Sequence, residues 1–181
     1  MFFRRIQNIG APMKTVFCLF KDVHSAENAT EEILDPELPE SQINVLIQEV
    51  VAKEYLNITD HKTMVHKTNH PGENVIHGLS SFLIGLKGIN TSDAGRILAA
   101  GTIATEIAGT ASVKTSGGLE LVLKDFGIPD IYASEYIAGL VAGGVLLIVK
   151  TENSNAGVIV QIAENNKTKG VYSIPRDTPA L

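Results

Sequence analysis

The sequence predicts an α+β domain: a ferredoxin-like split βαβ sheet carrying an inserted Gly/Ala-rich helical hairpin. A β-branched and aromatic run at 14–20, a helical stretch at 26–34 and an alternating run at 43–51 make a first β-α-β unit. A stretch from Gly78 to Gly118, dense in Gly, Ala, Ser and Thr, interrupts the pattern. A helix and then a second β-α-β order follow, ending near Ile174.

Composition bounds the rest. With 181 residues, 44% hydrophobic and 19% charged, the chain can bury a real core and suits a single domain. Residues 1–12 read as an N-terminal arm, 13–175 as the domain with its insertion at about 76–116, and 176–181 as a tail. The net charge is −5 and the 15 Lys and Arg residues are scattered, so no basic stripe marks a nucleic-acid partner. The single cysteine, Cys18, rules out an internal disulfide and fits a reducing, cytoplasmic setting. Its neighbours Val16, Phe17, Leu19 and Phe20 make it a buried thiol, with none of the electropositive surroundings that a nucleophile needs. Lys87, Asp93, Arg96, Glu106 and Lys114 keep the central stretch out of a bilayer, and the apolar run 137–149 is only 13 residues long.

The elements follow in order. Lys14 to Phe20 forms the first strand. Ser25 caps a helix over 26–34, which stops before Pro36. Ile43, Val45 and Ile47 alternate with Asn44, Leu46 and Gln48, a half-buried strand running to Val51 and parallel to the first. The polar segment from Ala52 to His77 reads as a long connection with a short strand near Thr63 to His66. Helices at 76–86 and 93–113 then form the inserted hairpin, with Asn90 to Asp93 as turn and cap. A helix at 118–126 ends on Gly127, and Pro129 and Asp130 open the next. Tyr132 and Tyr136 share a face of that helix, packed with their hydroxyls at the rim. Gly143-Gly144 ends it, and Val145 to Val149 is apolar throughout, as a strand covered on both faces requires. Ala156, Ile159, Val160 and Ala163 mark a last helix, and 170–174 the last strand.

Three stretches resemble a bacterial family of general-stress and low-temperature-induced proteins whose function is poorly defined. Leu19-Phe20-Lys21-Asp22-Val23-His24-Ser25-Ala26 is similar to its opening strand-to-helix turn. Ala94 to Gly101 is similar to its Gly/Ala-rich middle. Gly127-Ile128-Pro129, with Ala133 and Tyr136, leads to Gly143-Gly144-Val145-Leu146-Leu147-Ile148-Val149, as the family's "GIP-x-x-x-A-x-x-Y" helix leads to its "GGVLV-x-V" strand. The resemblance spans roughly Lys14 to Asn165. It implies a stress-associated role and brings no catalytic residues with it.

Two groups of residues carry the functional expectations. On a helix over 92–113, Ala100, Ala104 and Ala108 form one ridge, and Gly101, Thr105 and Gly109 the ridge beside it. Such a smooth face lets a second backbone approach closely and points to a homo-oligomer. His61, His66 and His70, with His77, Asp60 and Glu73 nearby, supply ligand types suited to Zn, Ni, Cu or Fe, though their spacing matches no established metal motif. A small ligand is the alternative occupant of that segment. No nucleophile elbow, phosphate loop or dinucleotide fingerprint appears, so neither catalytic residues nor a cofactor are expected. The expected function is that of a non-enzymatic structural protein that self-associates. A membrane surface, met through Phe2, Phe3, Arg4, Arg5 and the central helices, is the less favoured partner.

Overall fold

A computed structural model describes the backbone of residues 12–34, 42–63, 78–84, 86–109 and 118–175; within these, the side chains of 57–63, 106, 108, 109, 174 and 175 are excepted. Among the described residues the chain forms a six-stranded sheet and seven helices. The strands are β1 (Met13–Phe20), β2 (Gln42–Gln48), β3 (Ile89–Thr91), β4 (Gly95–Ala100), β5 (Val145–Glu152) and β6 (Thr168–Pro175). The helices are α1 (Val23–Ile33), α2 (Glu49–Thr63), α3 (Leu79–Leu83), α4 (Thr102–Gly109), α5 (Gly118–Asp125), α6 (Asp130–Val141) and α7 (Asn153–Asn165).

The sheet order is β3-β4-β2-β5-β1-β6, and every neighbouring pair is antiparallel. β5 lies between β1 and β2 and opposes both, so those two strands run parallel without pairing. Side chains alternate across the sheet and enter two separate cores. Val16, Cys18 and Phe20 of β1 and Val145, Leu147 and Val149 of β5 face α1, α2, α3 and α7. Phe17, Leu19, Leu46, Leu146 and Ile148 face α4, α5 and α6. The apolar run of β5 is covered on both faces, as its composition requires.

Several boundaries differ from the sequence expectation for physical reasons. The N-cap of α1 is Asp22, whose Oδ1 accepts from the Ser25 N–H at 2.8 Å; Ser25 lies inside the helix. β2 stops at Gln48 and α2 begins at once, replacing the expected polar connection as far as Thr63 and the start of the short strand expected there; the rest of that connection lies outside the described residues. Val51, Ala52, Tyr55 and Leu56 recur at helical spacing and pack on the first core. The β-branched run ahead of them masks that period. The Tyr55 hydroxyl also ties α2 to α1, donating to Glu27 Oε1 at 2.7 Å. Of the helix expected at 76–86, only the short α3 is present among the described residues. α5, α6, α7 and β6 lie close to where they were expected, and Gly127 adopts φ 95° after α5.

Cys18 is fully enclosed on β1, and burial pushes its thiol up to about 12. A disulfide reagent at pH 8 is therefore expected to label Cys18 only as fast as the protein unfolds, with full labelling in denaturant. Immediate labelling of the native protein would contradict this packing.

Candidate self-association surface

The small residues of the middle stretch do not form the expected ridge. Gly95 at φ 72° and Gly101 at φ 89°, with five residues between them, both have left-handed backbone, a conformation no continuous right-handed helix can contain. Between them Gly95–Ala100 is a strand, its Ile97 and Ala99 in one core and its Leu98 and Ala100 in the other. Ala100 is thus buried in β4, and Gly101 is the bend between strand and helix. A side chain at Gly101 would also press to 2.9 Å from the Ile43 carbonyl oxygen. On α4, Ala104 is half-buried against the second core and Thr105 is exposed. The side chains of Ala108 and Gly109 lie outside the described residues, as do residues 110–117.

This stretch is instead fastened down by polar side chains from elsewhere in the chain. Asn44 is 2% exposed, contrary to its expected place on a half-buried strand. Its Oδ1 accepts from the Ile103 N–H at 3.0 Å and the Thr102 hydroxyl at 3.1 Å, capping α4. Its Nδ2 donates to the Ile148 carbonyl at 3.2 Å. Asp93 is a cap, as its residue type suggests, but of α5, about 25 residues further on. Its two carboxylate oxygens accept from the Leu119 and Glu120 N–H groups, both at 2.8 Å. Gln48 Nε2 donates to the Ala94 carbonyl at 3.1 Å, and Glu49 pairs with Arg96 and Lys53. Burial alone would raise the Glu49 pKa, but the hydrogen bonds from Lys53 and Arg96 outweigh it and hold the carboxyl below its ordinary value.

His61 lies on α2, and its side chain together with residues 64–77, and hence His66, His70 and His77, is outside the described residues. The expected metal ligands therefore lie there too. Among the described residues no three His, Cys, Asp or Glu side chains converge on one point. No helix among them is long and apolar enough to cross a membrane.

A surface that the sequence reading overlooked lies on α6. This helix buries Ala133, Tyr136, Ile137, Gly139 and Leu140. Tyr136 stacks on Phe17 with ring centroids 6.2 Å apart. Its hydroxyl is buried with no hydrogen-bond partner, not at the rim, and burial raises its pKa. Tyr132 is the rim tyrosine, stacked on Tyr172 of β6 at 4.7 Å. The opposite side of α6 is also largely apolar. Ile131, Ala138 and Ala142, at i, i+7 and i+11, form one outward stripe, with Ile131 68% exposed. Val141, 53% exposed, flanks it, and Glu135 is the charged residue within it. The N-terminal half of α6 is held to α5 by Lys124–Asp130 at 3.4 Å and by the Ser134 hydroxyl on Glu120 at 3.2 Å. The signal was in the sequence: Ile131, Ala138 and Val141 fall outside the face that carries Ala133, Tyr136, Ile137 and Leu140, so the helix has more apolar residues than one core face holds.

Compared with known proteins, the chain matches no family model, no curated protein and no solved structure.

Proposed function

We propose that this is a non-enzymatic structural protein that associates with a second copy of itself, and that the outward face of α6 is where the copies meet. The observation that carries this reading is the exposed apolar stripe of Ile131, Ala138 and Ala142, continued by Val141. The stripe extends about 16 Å along the helix. Its small residues let a second helix axis come close, and Ile131 supplies the area to bury. A two-fold antiparallel pairing that sets Ile131 of each copy over Ala142 of the other has its axis between residues 136 and 137, so the two Ala138 residues flank the axis and each faces Glu135 of the other copy.

Two finer assignments belong with this proposal. The four strands β2-β5-β1-β6, in which each crossover pair is split by an opposing strand, support reading the sheet as ferredoxin-like, extended by the β3–β4 hairpin. The stress-associated role rests on the resemblance of Gly127 to Val149, the segment that folds as α6 and the start of β5.

Light scattering after size exclusion tests the association. The wild-type chain is expected as a dimer at micromolar concentration. Ile131→Glu places a charge at both symmetric positions, each losing about 1.5 kcal/mol or more of burial. The dimer should weaken by about a hundredfold, with the monomer fold intact by circular dichroism. A wild-type monomer at high concentration, or a dimer indifferent to Ile131→Glu, would refute the proposal.

A further inference from the structure

We propose that the protein also binds a small phosphorylated organic molecule, in a cavity at the end of β1 where three lysines meet an apolar floor. The cavity holds about 480 Å³, a volume typical of small-molecule sites. Lys21 lines it from the turn after β1, Lys167 from the turn after α7, and Lys169 from β6; Leu19, Gly139 and Ala142, the last of which also ends the outward stripe of α6, give its apolar side.

Three observations set these lysines apart. The chain is acidic, with 20 Asp and Glu against 15 Lys and Arg, yet among the described residues none of the three makes an ion pair. All three line one cavity whose lining residues include no carboxylate, a setting that favours an anion. Lys167 has φ 59°, the one positive φ outside glycine among the described residues. It follows the C-cap of α7, where glycine is the unstrained choice, so a lysine is held there against conformational preference. Lys169 is the extra residue of a β-bulge: Leu19 pairs with Gly170 and Phe20 with Thr168, leaving Lys169 without a partner on β1. The Thr168 hydroxyl holds the bulge, 2.8 Å from the Leu19 carbonyl oxygen and 3.1 Å from that of Gly170. Bulges of this kind re-aim side chains beside functional sites. Two departures from regular backbone within three residues thus put both lysines at one cavity.

The chemistry of the walls gives the ligand class. Three compact ammonium charges suit the dianion of a phosphate monoester better than a single carboxylate. Inorganic phosphate alone would leave the floor unused. At that floor α6 lies so close to β1 that a side chain at Gly139 would fall 2.5 Å from Leu19 Cδ2. A ligand with a compact apolar body beside its phosphate uses both parts.

Calorimetric titration of the full chain with phenyl phosphate, inorganic phosphate and benzyl alcohol tests this. Phenyl phosphate is expected to bind about tenfold more tightly than inorganic phosphate, to weaken as sodium chloride is added, and to leave benzyl alcohol without measurable affinity. Lys169→Gln should weaken phenyl phosphate by about tenfold, while Lys53→Gln, whose lysine pairs with Glu49 on α2, leaves it unchanged. Lys167→Gly separates binding from folding: it relaxes the left-handed residue, so Tm rises by about 2–4 °C while affinity falls. Equal affinity for the two phosphates would overturn the apolar body. No binding of either phosphate, or binding untouched by Lys169→Gln and Lys167→Gly, would overturn the site and leave these lysines as charges guarding the free edge of β6.

Discussion

Replacing Asn44 with leucine is expected to destabilise the protein by about 4 kcal/mol, although the two side chains share the same branched four-atom skeleton. Asn44 spends both ends of its amide inside the molecule. Without it the Ile103 N–H at the start of α4 and the Ile148 carbonyl on β5 each lose a partner in a site closed to water. An unpaired buried polar group costs about 1–3 kcal/mol, and the added apolar surface of leucine offsets little of it. The exposed side of Thr102 can turn its hydroxyl to water, so that bond adds least. A urea titration should show the midpoint falling with little change in slope. Hydrogen exchange should show α4 opening ahead of the sheet, because Asn44 joins the two. A loss below about 1 kcal/mol would mean that α4 is held by its apolar contacts alone.

Gly144→Ala is expected to cost about 3–4 kcal/mol, roughly two to three times the cost of Gly143→Ala one residue earlier. The neighbouring glycines are needed for different reasons. A side chain at Gly144 would sit 2.6 Å from the Phe20 carbonyl oxygen and 2.8 Å from that of Gly139. Both atoms are main chain and neither can swing aside, so the end of α6 and the start of β5 would have to separate. Gly143 has φ 93°, but a side chain there would meet nothing closer than Val51 at 3.8 Å. Its cost is the left-handed backbone alone, about 1–2 kcal/mol. Thermal unfolding of the two variants compares them directly. Equal losses would show that the approach of Phe20 to Gly144 is slack.

Where an element carries its own punctuation, the sequence was readable. The Gly127-Ile128-Pro129 and Gly143-Gly144 signals bound α6, and the unbroken apolar run of β5 announced its place in the middle of the sheet. β4 was illegible because both of its faces are buried, so Ile97, Leu98, Ala99 and Ala100 show no alternation, and alanine suggests helix. The left-handed glycines at 95 and 101 were visible only as glycines. Asn44 and Asp93 looked like an exposed strand residue and a local cap. Their real partners lie some 59 and 26 residues away, and no local pattern encodes that distance. The outward stripe of α6 was legible in principle, since the apolar residues of that helix exceed what a single core face can hold. The cavity lysines were not, because the bulge and the left-handed turn that gather them appear only once the strands are paired.

The most direct test of the proposed association is a cross-linking comparison. Ala138→Cys and Thr105→Cys are each made in the full chain, whose own Cys18 is enclosed and stays silent. Under mild oxidation at micromolar concentration, Ala138→Cys should form a disulfide-linked dimer and Thr105→Cys should remain monomeric on a non-reducing gel. Cross-linking through Thr105 with none through Ala138 would place the interface on α4 and contradict the account; so would the absence of any dimer.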